Sequence, residues 1–163
     1  MAKAFSFDVV CRLDLAEVRN AVNLTQKEIA TRYDFKNSVA RVTLDDDGLT
    51  LLADNDGKLR AVVDLLEEKL VRRSVPLKGL QYGKVEAALG GTVRQRVGLA
   101  NGIPDEKARE MNKMLRQQFK KLSVAIQGDT LRISSSSKDE LQSAIAALRD
   151  RDWGLPLQFT NYR

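Results

Sequence analysis

Arg109, Lys113, Arg116 and Lys120 recur at spacings of four, three and four residues. At about 100° per residue, such positions fall within about 60° of arc on a helix. Ala108, Met111, Leu115 and Phe119 take roughly the opposite side. The spacing predicts a helix with a buried apolar stripe and one exposed line of cations. Asp105, Glu106 and Glu110 stand toward its N-terminal end and do not interrupt the line. Such a line is either a solvated basic face or a row of phosphate contacts. Arg94 and Arg96 in TVRQRVGL share one face of a predicted strand. They suit phosphate contact or guanidinium stacking on a base.

A second chemical candidate is YDFKNS, residues 33–38. It joins a helical pattern to a strand pattern, a place where Gly, Asn, Ser and Pro are usual. Here it holds Tyr33, Asp34, Phe35 and Lys36. The stretch serves either packing or ligand contact. The size of the two aromatic rings favours packing, with Tyr33 and Phe35 at least partly buried between two halves of the chain.

Other chemistry is excluded or weak. The chain has no histidine, which removes Ser–His and Cys–His catalysis and histidine-based metal sites. No metal site and no cofactor is expected. Cys11, the single cysteine, lies in the strand pattern FDVVCR and reads as a packing residue. Gly90-Gly91 lacks the spacing of a phosphate-binding glycine loop and reads as a linker between halves or a bulge. In SSSSK, Ser137 and Glu140 have the spacing of a helix capping box.

Composition sets the frame. The 163 residues are 43% apolar and 30% charged, ordinary for a globular chain. No run of about eighteen apolar residues predicts a membrane span. The start MAKAFSFDVVC has no long apolar core and no cleavage pattern. With one cysteine, this suggests a reducing cytoplasm. The formal net charge of +5 lies wholly in residues 91–163, which carry 13 Lys/Arg and 8 Asp/Glu; residues 1–90 carry 14 of each. A one-sided basic excess points toward an anionic partner.

The elements that must position these groups repeat. FSFDVV alternates as a strand with Phe5, Phe7 and Val9 on one face. Asp14 caps a helix over 15–31, striped by Leu15, Val18, Val22 and Ile29. SVARVTL, the turn DDDG and GLTLLAD form a hairpin. A helix from Asp56 turns Leu59, Val62, Val63, Leu66 and Leu70 inward, and LKGLQYG is a fourth strand. The second half runs TVRQRVGL, a helix from Pro104, the hairpin LSVAIQG–TLRISS, a helix from Lys138 and the strand PLQFTNY. Ala40, Val42, Leu44, Leu49 and Leu51 map by +82 onto Leu122, Val124, Ile126, Leu131 and Ile133, and the following helix keeps the offset. The first helices instead align at +93, so the first copy is about eleven residues longer before its second strand, and YDFKNS lies in that excess. The expectation is an α+β duplication. Each βαββαβ copy has a four-stranded antiparallel sheet with two helices on one face, spanning 1–90 and 91–163. RNA recognition modules share this order but stack bases on central-strand aromatics, which GLTLLAD and TLRISS lack.

The chain resembles the YajQ family of small bacterial proteins through SFDVV (6–10), RNAVN (19–23), RYDFKNS (32–38), GIPDEKARE (102–110), VAIQGDTLRIS (124–134), KDELQ (138–142) and LQFTNYR (157–163). The resemblance implies a tandem of ferredoxin-like, RNP-like domains whose first strands are exchanged. The strand at 5–11 would then pair in the second sheet and the strand near 91–99 in the first. It also implies nucleotide binding, with cyclic di-GMP as ligand, and no catalysis. One difference is that Ser135, Ser136 and Ser137 precede Lys138, where the family usually has basic residues. The expected function is therefore a non-catalytic, cytoplasmic nucleotide-binding protein with cyclic di-GMP as regulatory effector. The alternatives are an RNA-binding protein using the same basic surface and a protein-interaction scaffold. Arg94, Arg96, Arg109, Lys113, Arg116, Lys120, Tyr33, Phe35 and Lys36 are the expected nucleotide- or phosphate-binding residues.

Overall fold

A computed structural model of the chain describes residues 4–163. Its described elements run β1 (Phe5–Cys11), α1 (Leu15–Thr31), β2 (Arg41–Asp45), β3 (Gly48–Ala53), α2 (Asp56–Arg72) and β4 (Leu80–Ala87), then β5 (Val93–Leu99), α3 (Asp105–Gln118), β6 (Ser123–Gln127), β7 (Thr130–Ser135), α4 (Lys138–Asp150) and β8 (Leu157–Thr160). They form two four-stranded antiparallel sheets, ordered β6-β7-β1-β8 and β2-β3-β5-β4. This is an α+β tandem of ferredoxin-like domains. The first strands are exchanged: β1 pairs with β7 and β8, and β5 with β3 and β4.

The described residues divide into two compact units. One joins the segment through Arg12 to Asn101–Arg163; the other is Leu13–Ala100. The first contains 13 Lys/Arg and 9 Asp/Glu of the sequence, so most of the basic excess stays with it. An isolated bridge between Arg12 and Asn101, and a bond from the Gly102 amide to the Cys11 carbonyl (2.6 Å), fasten the point where the chain re-enters this unit. Gly102 has φ +88°, and a Cβ there would collide with the Asp129 side chain, so only glycine fits.

Strand alternation builds both cores. In the first unit Phe7, Val9, Cys11, Leu131 and Ile133 are fully buried beneath Met111, Leu115 and Leu148 of the two helices. Burial raises the pKa of the Cys11 thiol, which makes it a poor nucleophile. In the second unit Leu49, Leu51, Val62, Leu66 and Val18 form the centre of the core. Helix starts follow their caps. Asp14 accepts from the amides of Ala16 (3.1 Å) and Glu17 (3.4 Å), Asn55 from Lys58 (2.8 Å), and Ser137 from Glu140 (3.2 Å). Lys69, its side chain only 6% exposed, is compensated by the Glu28 carboxylate at 2.9 Å, tying α1 to α2.

The repeat register is visible in the elements: β2 and β6, β3 and β7, and α2 and α4 begin 82 residues apart. Several sequence expectations need correction. Leu15 is 57% exposed rather than striped inward, because it is the first residue of α1, beyond the reach of the core. Leu65 is buried while Val63 is only half-buried. The fourth strand begins at Leu80, after a 3-10 turn at Leu77–Gly79. Gly90 and Gly91 form the turn between β4 and β5 within one sheet, with φ of +73° and +77°, and are not a linker.

Candidate functional site

The first candidate surface lies on α3. Arg109, Lys113 and Arg116 are exposed on this helix, opposite buried Ala108, Met111 and Leu115. The helix ends at Gln118 with Phe119 as its cap, so Lys120 is exposed but leaves the helical line. The expected row of four is therefore three plus a neighbour beyond the cap. Among the described residues none of the four has a carboxylate partner; Arg116 Nε donates only to Asn112 Oδ1 at 2.8 Å. Glu110, the acid nearest the row, is engaged by Lys107 (4.0 Å) and Arg151 (3.6 Å). The row keeps its full charge toward solvent.

Arg94 and Arg96 differ. They share the open face of β5, as their spacing requires, and each is matched by an acid. Arg96 meets Asp45 at 2.9 Å and also donates to the Thr50 hydroxyl; Arg94 lies 3.7 Å from Glu86. The Arg96 bond holds the Asp45 carboxyl below its usual pKa, assisted by the Asp47 amide. A phosphate there would have to displace these carboxylates.

The YDFKNS stretch splits into two roles. It forms a 3-10 turn at Tyr33–Phe35, followed by Asn37 at φ +59°. Phe35 is 4% exposed and belongs to the core of its own unit. The Arg32 guanidinium and the Lys58 ammonium lie 5.5 and 5.3 Å from its ring centroid. Arg32 grips Asp34 with two bonds of 2.9 Å, Lys58 donates to the Asp34 carbonyl, and the Ser38 hydroxyl donates to Asp54. Asp34 and Asp54 are accordingly held below the ordinary aspartate pKa, chiefly by these bonds from Arg32 and Ser38. Tyr33 contradicts the expected burial: it is 88% exposed. The turn points it outward because Phe35, two residues on, fills the core. Lys36 is exposed beside it.

Sequence reading missed one buried-edge network. Asp8 on β1 accepts from Arg132 Nε (2.9 Å) and Nη2 (3.3 Å) and from Asn161 Nδ2 (2.8 Å). These partners are 124 and 153 residues away, so no local pattern could reveal them. The network occupies the open face of the central strands β1 and β7, and no aromatic side chain stands on that face there. The Arg132 bond, opposed by burial and assisted by Asn161, holds the Asp8 carboxyl below its usual 3.8. A lowered folded-state pKa contributes stability that is present above the unfolded value and lost as pH falls through the folded value. Acid titration of stability should therefore show a component below about pH 4 that Asp8→Asn removes. An identical acid limb in wild type and variant would refute the coupling.

Among the described residues no cluster of three or more His, Cys, Asp or Glu could hold a metal ion, and no helix is long and apolar enough to cross a membrane. The exposed cations of α3 suit contact with an anion such as phosphate.

Comparison with known proteins identifies the family. A match to the family described as nucleotide-binding protein YajQ-like covers residues 5–163. The chain is 51% identical over 163 residues to a protein of Desulfitobacterium hafniense named nucleotide-binding protein, covering 100% of both chains. It is 48% identical over 158 residues to a nucleotide-binding protein of Koribacter versatilis, covering 97% of this chain and 96% of that one. It is 46% identical over 163 residues to a nucleotide-binding protein of Bacillus cereus strain B4264, again covering 100% of both. With a match across nearly its whole length and relatives this similar, the chain belongs to the YajQ-like family.

Proposed function

We propose that this chain binds a nucleotide without transforming it, in the cytoplasm, and that cyclic di-GMP is the regulatory effector. The relatives' names supply the nucleotide class. The observation that carries the reading is the cationic row Arg109, Lys113 and Arg116, with Lys120 beyond the cap, which has no carboxylate partner among the described residues. Exposed cations without carboxylate partners bind phosphate oxygens at little desolvation cost, whereas Arg94 and Arg96 must first give up Glu86 and Asp45. In the other unit, Tyr33 is by itself a candidate stacking face, with Lys36 next to it in the chain and Phe35 as the buried anchor of that turn. Calorimetric titration with cyclic di-GMP, GTP, ATP and a short RNA tests the reading. Preference for the cyclic dinucleotide supports it, and absence of nucleotide binding refutes it.

A second reading is RNA binding, favoured by the linear arrangement of the cations, which matches a phosphate backbone. Four contacts to single-stranded RNA give a log affinity against log salt slope of roughly −3, and a dinucleotide with two phosphates a much shallower one. Reversal of Arg116 and Lys120 to Glu should leave stability within about 0.5 kcal/mol, because both are exposed. It should weaken either anion. Unchanged affinity for both would make the row merely solvated surface.

A further inference from the structure

A cleft of about 460 Å³ opens between the N-terminal half of β1, the first turns of α4 and the segment after β8. Its volume falls in the range of about 300–1,000 Å³ typical of small-molecule sites. Its floor is apolar: Phe7 is fully buried, with Leu141 and Ile145 beside it. Its walls are aromatic. Phe5 is half-buried, and the Tyr162 ring lies 6.2 Å from Phe7, tilted by 31° and 59% exposed. Tyr162 thus leaves a ring face and a hydroxyl open, although its neighbours are core residues.

The polar lining residues are Ser6, Lys138, Gln142 and Arg163, besides the Tyr162 hydroxyl. The Lys138 ammonium sits 5.0 Å from the Phe5 ring centroid and has no carboxylate partner among the described residues. Gln142 is exposed and offers both a donor and an acceptor. Lys138 is also the first residue of α4, where backbone amides face outward without helical partners. Asp139 and Glu140 share that turn and limit how much negative charge it can take.

The geometry points to this cleft as the seat of a nucleoside monophosphate: the base packs against Tyr162 over the apolar floor, and the single phosphate faces Lys138. An apolar slot accepts the ring, Gln142 reads its edge, and Lys138, with Arg163 also lining the cleft, supplies positive charge for the phosphate. The assignment rests on the nucleotide-binding reading but not on placing phosphate at α3.

The test uses the full chain with GMP, guanosine and inorganic phosphate as probes. GMP should shift the amide resonances of residues 5–7, 138–142 and 162–163. Tyr162→Ala should weaken GMP and guanosine by about tenfold, the size of one lost stacking contact. Lys138→Gln should weaken GMP and leave guanosine nearly unchanged. Lys27→Glu, an exposed site in the other unit, should alter neither. Both cleft side chains are exposed, so these variants should keep the fold, and the resonance map needs no variant. If GMP binds, but its shifts fall on α3 and neither cleft variant weakens it, the chain is a nucleotide binder and the cleft is not the seat. Phosphate binding as tightly as GMP, indifferent to Tyr162→Ala, would reduce the cleft to an anion site and overturn the assignment. If no nucleotide binds the wild-type chain, the underlying reading is wrong.

Discussion

Phe35→Ala should destabilise the protein by about 3–5 kcal/mol, the usual cost of deleting a buried aromatic ring. The ring is 4% exposed and lies in the core formed by α1, α2 and the β2-β3-β5-β4 sheet. Its loss also removes the surface over which Arg32 and Lys58 sit, so the whole turn should loosen. Tyr33→Ala, two residues away, should stay within about 0.5 kcal/mol because its ring is 88% exposed. Thermal or urea unfolding of the two variants measures the contrast. Equal effects would mean that the turn does not divide into an anchor and a presented ring. If Tyr33 meets a ligand, its removal should lower affinity while the unfolding curve stays in place.

Cutting the chain at the repeat boundary should abolish folding of both pieces. Residues 91–163 lack β1, the strand paired between β7 and β8. Residues 1–90 lack β5, the strand paired between β3 and β4. Each fragment would lose a central strand and leave two open sheet edges, which favour aggregation over a monomeric fold. Residues 13–100 instead retain all four strands of one sheet, both helices and the core around Leu49, Leu51 and Leu66. This fragment should melt cooperatively as a monomer, as followed by circular dichroism and sedimentation. A cooperative melt of 91–163, with none for 13–100, would contradict the observed pairing.

The cationic face on α3 was legible because a helix carries side chains at a fixed angular step. Arg109, Lys113 and Arg116 needed only that step, and Lys120 missed because the helix stops at Gln118. Tyr33 and Phe35 were not separable in sequence. Two aromatics two residues apart look equally buriable until the 3-10 turn sends one into the core and the other into solvent. The Asp8–Arg132–Asn161 network and the Phe5–Lys138–Tyr162 cleft were invisible, because each joins the two ends of the chain.

The sequence by itself determined the elements, their duplication at an offset of 82 and the inward faces of most strands, because these depend on periodicities of two and 3.6 residues. It also determined which chemistry is missing, since no fold can supply an absent histidine. Periodicity left strand partnership open; the family resemblance implied the exchange, and the tertiary structure shows it. β1 and β5 both alternate correctly for either sheet, and the choice comes from which long-range pairing buries Phe7 and Val97 against their helices. Charge availability was decided at the same level. Arg96 and Arg109 are indistinguishable as letters, but the sheet brings Asp45 to the first, and among the described residues no acid pairs with the second.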